Sequence, residues 1–199
     1  MEITAAAVKG LREKTGVGMM ECKNALVEAG GDAAEAEKIL RKRGLAAAAR
    51  KAGRATGEGA VASYIHTGGK IGVLLEVNCE TDFAARSEDF RVLVRDLAMH
   101  VAAASPRFVR REEVTEPVLA EEREIARDQA LKSGKPAPVV EKIGEGKMEK
   151  FYAETCLMEQ PFVKDPDKTV GQLVGESVGR IGENIQVRRF ARFVLGETA

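Results

Sequence analysis

The sequence predicts an α+β chain: an N-terminal module of three helices, then a core of one small antiparallel sheet with helices packed on it. Three observations lead there. Apolar residues recur at three- and four-residue spacing in several separate stretches, as on one-sided helices. Ile71, Val73, Leu75 and Val77 instead recur at every second residue, as in a half-buried strand. Turn-forming pairs, Gly30-Gly31, Gly68-Gly69 and Ser105-Pro106, punctuate these runs.

Taken in order, Thr4 is placed to cap a first helix that carries Ile3, Val8 and Leu11 on one side and ends near Thr15-Gly16. After the Gly16-Val17-Gly18 turn, Met19, Cys22, Leu26 and Ala29 mark a second helix, stopped by Gly30-Gly31. Asp32 with Glu35 resembles a capping box that opens a third, through Ile39 and Leu40 to Gly44. Residues 45–59 read as an alanine-rich helical extension passing into a glycine-bearing linker, which divides the chain into 1–54 and 55–199. Val61, Ser63 and Ile65 alternate with Ala62, Tyr64 and His66, and Thr67-Gly68-Gly69-Lys70 turns them into the next strand as a hairpin. A helix follows the Thr81-Asp82-Phe83 turn with Phe90, Val94, Leu97 and Val101 as its stripe. Two further helices are expected, from Pro117 to Leu131, stopped by Gly134 and Pro136, and from Pro138 to Ala153. Thr169 and Gln172 open a last helix bearing Val170, Leu173, Val174, Val178 and Ile181, which Gly182 ends. The β-branched and aromatic run from Ile185 to Leu195 supplies the third strand.

Composition narrows the class. The 199 residues are 44% hydrophobic and 31% charged, enough for one moderate core or a small module plus a core. No stretch approaches the roughly 18 to 20 apolar residues of a membrane span, and the start Met1-Glu2-Ile3-Thr4 carries no secretory signal. The expectation is a cytoplasmic protein without membrane contact. Basic and acidic residues balance at 31 each, so no global charge favours nucleic acid. Cys22, Cys79 and Cys156, odd in number and far apart, suit a reducing compartment as small buried hydrophobes.

No catalytic constellation emerges, and the chain is not expected to be an enzyme. His66 and His100 have no cysteine or histidine at metal-ligand spacing, so neither a metal nor a cofactor is expected. Gly68-Gly69-Lys70 falls short of a phosphate-binding loop, because Tyr64 and Ile71 stand where that motif needs glycine and a hydroxyl residue. No Gly-x-Gly-x-x-Gly fingerprint follows a strand, and no Gly-x-Ser-x-Gly elbow occurs. Glu76, Glu80 and Asp82 are the acids an unrecognised enzymatic site would use. They precede or open a helix, where capping and surface charge account for them. Residues 41–54 hold six basic side chains and no acidic one, and Arg188, Arg189 and Arg192 lie near the end. An RNA-associated protein would use these groups; a solvated helix face is the plainer account of the first. The arginines of the second group either pair within the chain or meet a partner.

Four blocks in order resemble translation elongation factor Ts. They are Leu11-Arg12-Glu13-Lys14-Thr15-Gly16 running into Gly18-Met19-Met20-Glu21-Cys22-Lys23; Glu76-Val77-Asn78-Cys79-Glu80-Thr81-Asp82-Phe83; Glu159-Gln160-Pro161-Phe162-Val163-Lys164-Asp165; and Ile181-Gly182-Glu183-Asn184-Ile185 with Val187-Arg188-Arg189-Phe190. The resemblance implies that the first three helices form a ubiquitin-associated-like domain. It implies guanine nucleotide exchange on GDP-bound elongation factor Tu: a turn at Thr81, Asp82, Phe83 and Ala84 inserts beside the partner's nucleotide and dislocates its Mg²⁺. It implies that Arg12, Met19 and Met20 grip the GTPase domain, and that Gln160, Pro161, Phe162 and Val163 touch elsewhere on the partner. Valine is usual in the family at the position of Ala84, and the smaller residue fills less space behind the wedge. With one core unit the chain resembles the short form, which implies a homodimer. From the residue pattern alone Phe83 is more simply a core plug between strand and helix. The resemblance makes it an interface anchor at a turn tip.

Overall fold

The computed structural model describes residues 3–132 and 136–197; the expectations placed on Met1, Glu2 and Gly134 lie outside them. The fold is α+β, with eight α-helices among the described residues and a three-stranded antiparallel sheet.

The helical start forms as its caps dictate. Helix α1 (Ala5–Thr15) begins where the Thr4 hydroxyl accepts from the Ala7 N–H at 3.2 Å, and it ends on Gly16 in the left-handed region, φ 69°. Helix α2 (Met19–Glu28) follows, and α3 (Ala33–Lys51) opens with Asp32 accepting from the Glu35 N–H at 2.9 Å. Val8, Leu11, Cys22, Ala25, Leu26, Ala36 and Leu40 close into one buried cluster from all three helices. Gly44 does not end α3, which runs on through the alanine-rich stretch to Lys51. A Cβ at Gly44 would make only ordinary contact, 3.6 Å from the Gly175 carbonyl oxygen, so Gly44 lies at a helix contact rather than at a stop.

Strand β1 (Glu58–Ile65) and β2 (Ile71–Cys79) form the expected hairpin, closed by the His66 N–H donating to the Ile71 carbonyl at 2.9 Å. Gly68 and Gly69, φ 91° and 69°, make the turn. Val73, Leu75, Val77 and Cys79 are buried on one face of β2. The expected single helix after the Thr81 turn is two, α4 (Asp82–Arg86) and α5 (Glu88–Ala104). Ser87 is extended between them, its hydroxyl donating to the Ala84 carbonyl and accepting from the Phe90 N–H. Helices α6 (Glu116–Leu131) and α7 (Ala137–Thr155) pack on each other. Next come a two-stranded ribbon, β3 (Pro161–Phe162) with β4 (Asp165–Thr169), then α8 (Val170–Ile181) and β5 (Ile185–Val194). The main sheet has the order β1-β2-β5.

The chain divides into two compact units. The first contains the residues up to Ala62 with Glu76–Asp96 and Gln172–Arg188; the second contains Ser63–Leu75, Leu97–Gly171 and the residues from Arg189 on. Within the first, α3 lies against α8 through small residues: Cβ atoms added at Gly175 and Gly179 would stand 2.8 Å from the Leu45 side chain and 3.0 Å from Gly44 Cα. Arg41 of α3 donates to Gln172 and pairs with Glu176 of α8. Within the second, Arg111 pairs with Glu149 and Glu159 and lies 4.3 Å over the Tyr152 ring. That joins a short turn to the end of α7.

Candidate functional site

The first unit presents a turn built to hold one aromatic side chain outward. Strand β2 ends at Cys79, and Thr81, extended at φ −131°, ψ 157°, caps α4 with its hydroxyl accepting from the Ala84 N–H at 3.3 Å. Starting a helix there sends consecutive side chains in different directions. Ala84 turns inward and is buried, whereas Phe83 is 80% exposed. Asp82 pairs with Arg86 one turn on, at 2.6 Å. The core-plug reading of Phe83 is therefore set aside by its place on the helix.

Two chain segments over a hundred residues apart clasp the turn. Glu183, just after α8, accepts through Oε2 from the backbone N–H groups of Glu80 (3.1 Å) and Thr81 (3.0 Å), and through Oε1 from the Thr81 hydroxyl (2.6 Å). In return Glu80 Oε1 accepts from the Asn184 N–H at 2.6 Å. That bond, and then the Arg54 guanidinium 3.4 Å away, holds the Glu80 carboxyl below its ordinary pKa. The buried Asn184 amide donates to the Arg54 carbonyl (2.9 Å) and the Ala52 carbonyl (3.4 Å), so the linker after α3 joins the same cluster. Beneath the turn the Cys79 thiol donates to the Thr81 carbonyl at 3.2 Å; burial, then the nearby Glu183 carboxylate, pushes its pKa up.

The other expected contact residues divide by burial. Arg12, Met19 and Met20 are exposed in the same unit as Phe83. In the second unit Pro161 and Val163 face out, but Gln160 and Phe162 are buried. Gln160 accepts from His100 Nε2 at 2.9 Å and donates to the Glu154 and Ala104 carbonyls. His100 Nδ1 accepts from the Val163 N–H at 3.3 Å, and burial lowers the imidazole pKa. These bonds fix the shape of the segment rather than offering side chains outward. Glu183 and Asn184 are functional candidates that residue pattern did not single out. They stood only inside a block of resemblance, with no local signal of a partner.

The basic segment 41–54 is largely occupied within its own fold. Arg41 meets Gln172 and Glu176, Arg43 meets Glu28, Lys51 donates to the Gly182 carbonyl, and Arg54 faces Glu80. Arg188 and Arg189 are both exposed, while Arg192 is half-buried and donates to the Ala102 carbonyl. Among the described residues no group of three or more His, Cys, Asp or Glu side chains is placed to hold a metal ion, and no helix is long and apolar enough to cross a membrane.

The family model described as Elongation factor TS matches residues 33–197, a span holding both halves of this clasp. The chain belongs to the elongation factor Ts family. Over 98% of its length it is 65% identical to "Elongation factor Ts" of Anaeromyxobacter dehalogenans strain 2CP-1, covering 90% of that protein. It is 61% identical to the Koribacter versatilis protein of that name over 99% of this chain and 90% of the relative. For the Geobacter sulfurreducens protein the identity is 64%, over 99% and 91%. Membership in the elongation factor Ts family ties the chain to translation elongation and protein biosynthesis.

Proposed function

We propose that this protein is a guanine nucleotide exchange factor for elongation factor Tu, speeding GDP release by pressing Phe83 beside the partner's Mg²⁺ and phosphate site. The observation that carries this reading is a phenylalanine 80% exposed on a turn whose backbone is bonded from behind. An exposed ring is free to leave water only by entering a partner, a gain of about 1.5–3 kcal/mol. Where that gain requires a disturbed ion site, it weakens nucleotide binding by the same coupling, and nucleotide weakens this protein equally. No bond is made or broken, so the chain is a binding factor and not an enzyme. It needs no cofactor or metal of its own; the ion is the partner's.

Residues 1–54 act in this reading as a ubiquitin-associated-like grip, with Arg12, Met19 and Met20 on the GTPase domain. Their exposure and the shared core of the three helices support it. The core, 55–199, carries the turn of Thr81, Asp82, Phe83 and Ala84, with Ala84 as its buried foot. Pro161 and Val163 make the further contact, supported from beneath by Gln160 and Phe162. A second copy of the chain completes the working unit, which the exposed Ile65, Leu74, Phe193 and Leu195 of the second unit favour. A sedimentation mass of one chain at working concentration removes that last element. The setting is the cytoplasm, and RNA is not the partner, since four of the six cations at 41–54 have bonds inside the fold.

The test is release of labelled GDP from elongation factor Tu of the same organism. The parent protein accelerates it strongly, and Phe83→Ala reduces the acceleration by about tenfold or more. A folded Phe83→Ala variant as active as the parent ends the role given to that ring.

A further inference from the structure

We infer that Glu183 is the positioning residue of the exchange turn: its carboxylate, reaching back from beyond α8, sets the direction in which Phe83 is presented. This rests on the reading of Phe83 as the inserted group. Glu183 touches no nucleotide in this scheme and acts only through the turn.

Two N–H groups of the turn lack backbone partners of their own. Between β2 and α4 the Glu80 and Thr81 N–H groups lie past the end of the strand and before the first bond of the helix. Both donate to Glu183 Oε2, at 3.1 and 3.0 Å, while Oε1 takes the Thr81 hydroxyl proton at 2.6 Å. One carboxylate thus holds the two peptide groups next to the tip and the side chain that caps its helix. Hydrogen bonds to an ionised carboxylate are roughly twice as strong as neutral ones, and the one from the Thr81 hydroxyl is also short. The Thr81 hydroxyl, its proton given to Glu183, has its lone pair aimed at the Ala84 N–H. Glu183 therefore also sets the rotamer of the cap. The reverse bond, Asn184 N–H to Glu80, fixes the segment that carries Glu183, so neither side shifts alone. Phe83, two residues beyond Thr81 and with no core of its own to seat it, has its direction fixed by this backbone.

A double-mutant cycle separates positioning from general stability. Four full-length proteins, the parent, Phe83→Ala, Glu183→Ala and the double variant, are compared for stimulated GDP release from elongation factor Tu at saturating concentration, with Glu183→Gln as a fifth. A misaimed group costs one to two orders of magnitude, so Glu183→Ala is expected to slow release at least about tenfold. Glutamine keeps an oxygen for the two N–H groups but sets an NH2 against the Thr81 hydroxyl, so its loss falls clearly short of that of Glu183→Ala. With Phe83 already absent, removing Glu183 costs no more than about twofold further. Should Glu183→Ala not fold, Thr81→Val takes its place in the cycle, with the same loss and the same lack of additivity expected. The inference is overturned if Phe83→Ala is impaired but Glu183→Ala, or Thr81→Val in its place, keeps the parent rate. It is equally overturned if the two losses multiply in the double variant, or if Glu183→Gln is as damaged as Glu183→Ala. A Phe83→Ala protein with parental activity instead removes the reading beneath it, and so is told apart.

Discussion

Replacing Gly59 with alanine perturbs β2, the strand that leads into the turn carrying Phe83, and its cost divides into two parts. Gly59 has φ 143°, a conformation that side-chain-bearing residues rarely adopt. A Cβ there would also stand 2.2 Å from the Val77 carbonyl oxygen and 2.7 Å from Asn78 Cα, both backbone atoms of the neighbouring strand. The conformational part is roughly 1–3 kcal/mol. Moving the neighbouring backbone adds roughly 1–3 kcal/mol. Gly68 supplies the control: φ is 91°, yet a Cβ there meets nothing within 4 Å, so Gly68→Ala carries only the first part. Urea unfolding followed by circular dichroism reads both, with an unchanged slope required for the comparison. Gly59→Ala is expected to be less stable than Gly68→Ala by about 1–3 kcal/mol. Because the displaced atoms lie just before Cys79-Glu80-Thr81, Gly59→Ala should also slow stimulated GDP release while Gly68→Ala leaves it unchanged. Equal stabilities for the two variants, within about 0.5 kcal/mol, refute the close-approach argument.

Two further outcomes follow from other parts of the fold. Burial lowers the His100 pKa below 6.5, so the unfolded chain binds a proton more readily than the native one. The contribution of this group is intact above pH 6.5 and is lost as pH falls toward the native value, at no more than about 1.4 kcal/mol per pH unit. Unfolding curves for His100→Leu should be less stable throughout and lack this slope; an unchanged slope would assign it elsewhere. Arg111→Met removes pairing with Glu149 and Glu159 and the contact with the Tyr152 ring. Being half-exposed, it should cost only about 1–2 kcal/mol, a difference that shrinks in high salt. A salt-independent loss would mean packing, not charge, dominates there.

What the sequence reveals and what it hides follows the range of the forces involved. Caps at Thr4 and Asp32, the Gly68-Gly69 turn and the period-two run of β2 act within a few residues, and each appears where expected. The alanine-rich extension after Gly44 is helical as expected, but it is continuous with the third helix, since a lone glycine inside a helical run need not end it. The β3–β4 ribbon was missed because Pro161 and the Asp165-Pro166-Asp167 run are poor strand formers. Its neighbours Gln160 and Val163 bond instead to His100, sixty or more residues away. The direction of Phe83 was not legible from periodicity, since a strand-to-helix corner has neither period. The resemblance pointed it outward, and it stands exposed. The clasp joins residues separated by 102 to 104 positions, beyond any local pattern.

Helix α3 makes the N-terminal module's orientation a matter of angular arithmetic. Its 19 residues form one rod about 28 Å long, seated on α8 over its C-terminal half. Adding one residue between the module and that seat would rotate Arg12, Met19 and Met20 by about 100° around the rod. Four added residues leave a residual rotation of about 40°, and seven about 20° in the opposite sense. Lengthening this rod therefore re-aims those three exposed side chains in coarse steps, and only insertions near a whole number of turns keep them pointed the same way.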